Sequence, residues 1–384
     1  MKRPNPLLYL PVVGLLKLFA LAKGQRLKKV DKLRLPAIVL SNHTSFYDFV
    51  YSTAAVYPKR ITYLAADKLF YNPVNRVLLK LGRAIPKSLF ESDPSAIRAA
   101  FKVLKNGGLV GIYPEGQISG IGRTLEIPFQ IAKFVKKAGV TVYVCKTEGA
   151  YFTNPPWTTK SFRGKVHSTL SRLMDADTLL SMTDRQVYDQ IASALHFDSA
   201  AWACKHPGMY SMEDVSNLEN LLYRCPQCGF EGLKADKKAL FCPSCNTVFE
   251  GFSNGLMNGV SFEQRYLDQE AAVKEEIDAD PAWELTGEVI LQSYRNNRLV
   301  DVGSGTLTLN TKQYTYRGTI DGETVAKSFD PIVVPTLPAD IGKNVQIYEK
   351  KQIYQFAFVK DLFLSTKFVH AGELIHRMIK SERT

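Results

Sequence analysis

The hydrophobic and polar positions of this chain change their period along its length. Residues 6–20 are almost continuously apolar, from Pro6-Leu7-Leu8-Tyr9-Leu10 to Leu18-Phe19-Ala20. From 35 to 160, short branched runs alternate with helical patterns. The runs predict strands at 36–40, 60–65, 82–86, 108–113 and 140–147, and the patterns between them predict helices at 46–56, 70–81, 93–106 and 126–138. Asp93 reads as a cap with Pro94 in the first turn, and Asn106-Gly107-Gly108 as a stop. Such alternation predicts an α/β domain with a mostly parallel sheet and crossover helices. Residues 161–220 read as helical, most clearly Asp184 to Leu195. Residues 251–283 read as a linker with an acidic connecting helix.

From 284 the texture becomes all-β. Strands are predicted at 286–294, 298–302, 305–310, 313–319, 323–328, 344–349 and 352–358, with a hairpin turn at Asp321-Gly322. A final helix follows Ser365, with Phe368, Val369, Ile375, Met378 and Ile379 on one side. The predicted division is an N-terminal helical segment 1–34, an α/β domain 35–205, a cysteine-rich segment 221–250, a linker 251–283 and a β-barrel-like domain 284–384 closed by a helix.

Composition changes this picture little, with 45% hydrophobic and 22% charged residues in a chain of 384. Charge changes it more. The formal net charge is +12, which suits nucleic acid, an anionic membrane or a phosphorylated substrate. Basic residues crowd the first 34 positions (Lys2, Arg3, Lys17, Lys23, Arg26, Lys28, Lys29, Lys32, Arg34) against one acid, Asp31. A spanning helix needs about 20 apolar residues, and Pro11, Gly14 and Lys17 interrupt this run. A signal peptide would use Ala20-Leu21-Ala22 as its cleavage site. The reading that fits best is a helix lying in a membrane interface, apolar on one side and flanked by base. An ordinary amphipathic core helix is the plain alternative.

Candidate chemistry gathers where predicted strands end. After the run Ala37 to Leu40 comes Ser41-Asn42-His43-Thr44-Ser45-Phe46-Tyr47-Asp48. A neutral imidazole at a strand exit can act as a general base, and a nearby carboxylate can fix its tautomer. Residues five apart do not share a helix face. His43 and Asp48 therefore meet only if His43 lies in the loop and Asp48 in the first helical turn. Ser45 is expected to cap that helix, with Asp48 at its third position in a capping box. A second strand, 108–113, ends in Tyr113-Pro114-Glu115-Gly116-Gln117-Ile118-Ser119.

Together these two stretches resemble the glycerolipid acyltransferase family, whose best-known members acylate lysophosphatidic acid. The resemblance covers about residues 1 to 205. Lys68-Leu69-Phe70 with Pro73, Leu81-Gly82-Arg83-Ala84-Ile85-Pro86-Lys87 and Val140 to Val144 resemble further family blocks. The resemblance implies catalysis by His43 and Asp48, with Glu115, Gly116, Lys68, Arg83, Lys87 and Arg123 as substrate contacts. It also implies an acyl thioester donor, acyl-CoA or acyl-carrier protein, and a lysophospholipid acceptor. The place expected is the cytoplasmic face of a membrane, held peripherally or monotopically. Gln117-Ile118 stand where the family has Thr-Arg, and Ser88 stands where it has arginine. The reaction type therefore carries over better than the acceptor.

A last motif is independent of this family. Cys225-Pro226-Gln227-Cys228-Gly229 is followed, thirteen residues after its second cysteine, by Cys242-Pro243-Ser244-Cys245-Asn246. Two such pairs read as a tetrahedral, structural Zn²⁺ site formed by Cys225, Cys228, Cys242 and Cys245. Cys204 and His206 are two residues only and read as packing. The β domain resembles PH or GRAM barrels in element order, which implies a lipid headgroup or protein partner. The rival to an enzyme is a scaffold with an altered acyltransferase fold, recruiting partners through the ribbon and the β domain. Nucleic-acid binding by the ribbon has only Lys234, Lys237 and Lys238 in its favour.

Overall fold

The computed structural model describes residues 3–88, 93–252, 255–296, 298–349 and 352–382. Apart from a short stretch ending at Gly255, the chain divides into one unit up to Met212 and a second from Glu213 onward.

The first unit runs α1 (Pro6–Ala22), β1 (Gln25–Lys29), β2 (Ala37–Ser41), α2 (Asp48–Val56), β3 (Ile61–Ala66), α3 (Pro73–Leu81), β4 (Ile85–Lys87), α4 (Pro94–Lys105), β5 (Leu109–Ile112), α5 (Gln130–Ala138) and β6 (Thr141–Glu148). It continues with α6 (Ala150–Thr153), β7 (Val166–Met174), α7 (Ala176–Ser181), α8 (Asp184–Leu195) and α9 (Ser199–Lys205). One sheet has the order β1-β7-β6-β2-β5-β3-β4. Strands β2 to β6 are parallel to one another, and β7 runs antiparallel to β6 with β1 parallel to it. Both sheet faces are covered. Ile38, Leu40, Val110 and Val142 pack against α4, α5 and α8. The alternate residues Ala37, Val39, Leu109 and Tyr143 pack with Ala55 and Val56 of α2. This is why the central strands read as unbroken apolar runs.

Two expectations are corrected. The segment 1–34 is not one helix, because Gln25–Lys29 forms an edge strand pairing with Val166–Leu170. Residues 166–174, expected to be helical, form β7. Val166, Leu170 and Met174 are spaced by four, which mimics a helical stripe. In the strand they join Ser168 on the buried face, and Ser168 Oγ accepts a hydrogen bond from Gln25 Nε2 at 2.9 Å.

The second unit opens with the ribbon, a small antiparallel sheet of β8 (Lys234–Ala235), β9 (Leu240–Phe241) and β10 (Val248–Phe249). The hairpin β11 (Leu256–Met257) and β12 (Val260–Ser261) leads into α10 (Phe262–Ala279). Seven strands follow: β13 (Glu284–Arg295), β14 (Arg298–Asn310), β15 (Tyr314–Ile320), β16 (Glu323–Phe329), β17 (Ala339–Asp340), β18 (Asn344–Glu349) and β19 (Gln352–Phe358). Their order is β16-β15-β14-β13-β19-β18-β17, antiparallel throughout. Helix α11 (Leu364–Glu382) closes one face, placing Phe368, Ala371, Leu374 and Ile375 in the core beside Leu307 and Phe356.

Seven strands were expected, but not these seven. The runs 298–302 and 305–310 are one strand with Val302 as a bulge, and Ala339–Asp340 was not foreseen. Gly303 and Gly305 read as a break; they are glycines because a Cβ would stand 1.7 Å and 2.2 Å from carbonyl oxygens of β15. The segment 251–283 is more than a linker, since Val273 and Ile277 of α10 belong to the β domain's core. The Asp321-Gly322 turn forms as expected, both residues having positive φ.

Candidate functional sites

Strand β2 is central, and all five of its residues are buried. Just past its end, Asn42 is locked to β6: its Nδ2 donates to the Thr147 carbonyl and its Oδ1 accepts from Thr147 N–H, each at 2.8 Å. The chain then leaves the sheet, and His43 is the first residue in the loop. Its N–H donates to Glu115 Oε1 at 2.8 Å, and its carbonyl accepts from Ser119 N–H at 2.9 Å.

Asp48 opens α2 and meets the imidazole at 3.1 Å, Oδ2 to Nδ1. The same oxygen accepts from the N–H groups of Thr44 at 2.7 Å and Ser45 at 2.8 Å. This corrects the expected capping box. Asp48 is the first residue of α2, not the third, and Tyr47 is its cap without a side-chain bond. The carboxylate bonds back into the loop instead of capping the helix. Asp48 is 1% exposed, whereas the His43 side chain is 18% exposed. With Nδ1–H donated to a carboxylate, the proton-free nitrogen is Nε2. That is the arrangement a general base needs.

Glu115, expected as a substrate contact, bonds to the backbone on both sides. Its Oε1 takes the His43 N–H and its Oε2 the Leu125 N–H, both at 2.8 Å, so both oxygens are engaged with backbone. It therefore ties the His43 loop to the loop after β5. Burial pushes its carboxyl up to about 8, against the pull of those two N–H donors, with Asp48 adding a smaller upward push. Gly116 makes the turn after Glu115 with φ of +76°.

Sequence reasoning missed the wall behind His43. The Tyr113 ring lies 4.4 Å from the imidazole, centroid to centroid, and stacks on Tyr63 at 5.9 Å. Ser52 Oγ lies 2.6 Å from both tyrosine hydroxyls. Gly111 makes room for this, since a Cβ there would be 2.4 Å from the Tyr63 ring. The signal was Tyr113 itself, one residue past a buried strand and two before Glu115. Cys145, inside β6 and wholly buried, is pushed up to about 12 by that burial, which makes it an inert thiol.

Topology sorts the basic residues. Lys68 follows β3, Lys87 ends β4 and Arg123 lies in the loop after β5, so all three belong to the carboxyl edge that also holds His43. Arg83 precedes β4 and sits at its amino end, away from that edge. Lys87 Nζ donates to the Ser88 carbonyl at 2.9 Å, and burial pulls its ammonium down.

In the second unit the four cysteine Sγ atoms lie within 4.8 Å of one another. Two Sγ–Sγ separations, Cys225 to Cys245 and Cys228 to Cys242, are 3.7 Å. A tetrahedron with arms of about 2.3 Å has edges of about 3.8 Å, so the thiol set fits a zinc ion. The two knuckles turn through Gly229 and Asn246, each with positive φ, the conformation that glycine and asparagine adopt most readily. None of the six cysteines is in a disulfide. His206 Nδ1 lies 2.8 Å from the Trp202 carbonyl and its ring stacks on Trp202, consistent with packing.

A family model described as Acyltransferase matches residues 24–147, the segment that holds His43, Asp48 and Glu115. A 1-acyl-sn-glycerol-3-phosphate acyltransferase of Bacillus subtilis (strain 168) is 32% identical over 93 residues, covering 23% of this chain and 47% of the relative. The chain thus spans about half the length of the curated relative it matches. The crystal structure of the 1-acyl-sn-glycerophosphate acyltransferase from Thermotoga maritima aligns over 51% of this chain and 80% of its own at 20% identity, with a TM-score of 0.42. Residues 24–147 are therefore a domain of the acyltransferase family.

Proposed function

We propose that this protein is a membrane-associated O-acyltransferase. It moves a fatty acyl group from an acyl thioester, carried by CoA or acyl-carrier protein, to the hydroxyl of a lysophospholipid, with lysophosphatidic acid the first acceptor to test. The observation that carries this reading is the His43–Asp48 pair at 3.1 Å inside the family-matched segment. His43 Nε2 takes the acceptor's hydroxyl proton as its oxygen attacks the thioester carbonyl. The C–O bond forms, the C–S bond breaks, and the imidazolium returns the proton to the departing thiolate. Asp48 holds the tautomer and stabilises the imidazolium. Lys68, Lys87 and Arg123 are the candidates for the acceptor's phosphate, by charge-assisted bonds. Arg83 drops out because it precedes its strand, at the amino end. Gln117-Ile118, in place of the family's Thr-Arg, leaves the head group to be found by experiment.

Two features support the rest of the reading. No described helix is long and apolar enough to cross a membrane. Helix α1 nevertheless turns Leu7, Leu8, Leu15 and Leu18 outward at 61–82% exposure, which suits a helix lying on a basic, lipid-facing surface. Cys225, Cys228, Cys242 and Cys245 would hold a closed, structural zinc ion, which supplies folding energy to a ribbon too small to have a core of its own. The test is acyl transfer by detergent-solubilised protein, with labelled acyl-CoA and acyl-carrier protein against a panel of lysolipids, beside His43→Ala. Turnover that disappears in the variant with folding and zinc content intact supports the reading. Equal turnover in the variant sinks the His43 mechanism, and no turnover with any pair favours the scaffold.

A further inference from the structure

Helix α3 turns an apolar stripe away from the protein. Its outward positions are Val74, Val77 and Leu78, exposed to 70%, 68% and 38%. Its half-buried positions are Asn75, Arg76, Leu79 and Leu81, and Lys80 is exposed beside the outward stripe. The Arg76 guanidinium folds back, with Nε donating to the Phe70 carbonyl at 2.6 Å and Nη2 to the Tyr71 carbonyl at 3.3 Å. No side chain of this nine-residue helix is buried. A helix of a protein surrounded by water turns its apolar stripe to the core and its polar face outward. Here the i, i+3, i+4 stripe exists but points away from the protein. The helix is well made all the same. Pro73 opens it, and Asn72 Oδ1 accepts from the N–H groups of Val74 and Asn75.

We propose that α3 lies in the surface of an anionic lipid bilayer, as a second contact beside α1; this rests on the lipid-acceptor reading above. Charge favours lipid over a protein partner. Both α1 and α3 carry base and no acid, with Lys17 in the first and Arg76 and Lys80 in the second. An apolar face with basic flanks is the pattern of an interfacial helix on anionic lipid. Placement agrees. Parallel crossovers are right-handed, and β5, β3 and β4 lie successively to one side of β2. The β2–α2–β3 and β3–α3–β4 units therefore turn to the same face of the sheet. Helix α1 packs on α2, through Ala20 against Val50, Tyr51 and Ala54, so the outward stripes of α1 and α3 share that face. At the carboxyl edge, Lys68 stands in the turn that leads into α3, and Phe46, three residues past His43, is 51% exposed. A bilayer seated on this face would bring a membrane-held acceptor to the edge where His43 opens.

The experiment is vesicle flotation of the full chain on phosphatidylcholine mixed with phosphatidylglycerol, against phosphatidylcholine alone. The variants are V74D/V77D and, as the conservative control, V74L/V77L. Both positions are exposed, so both variants are expected to melt as the unsubstituted protein does. Wild type is expected to float with the anionic vesicles, less so at high salt. V74D/V77D is expected to bind at least about tenfold more weakly, and V74L/V77L as well as wild type or better. In acyl transfer, the aspartate variant should lose turnover of a long-chain lysolipid embedded in vesicles and keep turnover of a short-chain, monomeric one. If no acyl transfer is found with either acceptor, the enzymatic reading fails, while the flotation result still decides α3. Unchanged vesicle binding by V74D/V77D overturns the proposal. So does a wild-type dimer that the aspartates dissociate, which would make this face a protein interface.

Discussion

Two clusters of charged and polar groups, one buried and one partly buried, sit in the two units, and they are built to opposite ends. Around His43 the polar groups are only partly used. Asp48 Oδ2 takes three donors, but Asp48 Oδ1, Thr44 Oγ1 and Ser119 Oγ are buried without a hydrogen-bond partner in the protein. In the second unit, Lys367 Nζ lies 2.7 Å from Glu231 and 2.8 Å from Glu276, and Arg224 Nη1 lies 3.3 Å and 3.2 Å from the same two carboxylates. Two cations and two anions thus close on each other. Buried polar groups left without partners are costly. None of the four charges of the second cluster is left in that state, although His370 Nε2 and Tyr314 Oη elsewhere in the same unit are. The first cluster has the character of a working site, and the second that of a staple. Arg224 and Glu231 flank the first cysteine pair, so the staple fastens the zinc knuckle to α10 and α11.

The largest expected effect would break the first half of this contrast. His43→Ala should reduce acyl transfer by about 10²–10⁴-fold, the usual worth of a general base. The melting temperature should hardly move, because the ring makes no hydrogen bond among the described residues beyond the one it donates to Asp48. Steady-state rates and a thermal melt on the same preparations check both halves. A large loss of stability would mean that His43 is itself structural, and the contrast would fail.

Metal removal comes next and probes the second cluster. Chelation under reducing conditions, or Cys225→Ser, should release one zinc per chain and unfold the ribbon, whose strands are two residues long. Hydrogen exchange should then show lost protection around residues 225–249 and, through Arg224 and Glu231, at the Lys367 end of α11. If α11 kept full protection, the ribbon would be a tethered appendage and the four charges no staple.

Glu115 gives a smaller, pH-dependent effect. Its folded pKa of about 8 exceeds the ordinary 4.5. Between those values the native state holds a proton that the unfolded chain has released, so stability falls as pH rises through that window. Below about 4.5 the penalty is absent, and above about 8 it is complete. Melts of wild type and Glu115→Gln across that range should give a sloping line and a flatter one. The variant should also start lower, by about 1–2 kcal/mol, because an amide cannot accept both N–H bonds. Parallel lines would show that Glu115 is ionised throughout and that its two donors outweigh burial.

The parts of this design that were legible in the sequence are local ones. An apolar branched run followed by His43 and Asp48 fixes a strand, a loop and a helix start within a dozen residues. The cysteine pairs fix two knuckles in the same way. What escaped depended on distant partners. Gln25–Lys29 shows one apolar residue in five and becomes a strand only because β7 offers an edge. Lys68, Lys87 and Arg83 looked alike until the strand order assigned the first two to the carboxyl edge and the third to the other end. The half-buried Asn75 and exposed Val77 of α3 could not be told apart from the periodicity, which fixes a stripe but not the side it faces.

The last effect, of the same order as that at Glu115, is also the sharpest test of the staple. Lys367→Met should destabilise the second unit by about 2 kcal/mol, less than the figure for breaking a fully buried pair because Glu231 and Glu276 keep 22% and 30% exposure. Methionine can fill the lysine's volume, so the loss would come from two carboxylates left with Arg224 alone. Linkage then demands a reciprocal effect: if bound zinc orders the knuckle that Lys367 grips, losing Lys367 must weaken zinc by the same free energy by which losing zinc reduces the contribution of Lys367 to stability. Competition with a chromophoric chelator measures that affinity directly. A loss of stability with unchanged zinc affinity would confine Lys367 to the packing of α11 and separate the ribbon from the staple.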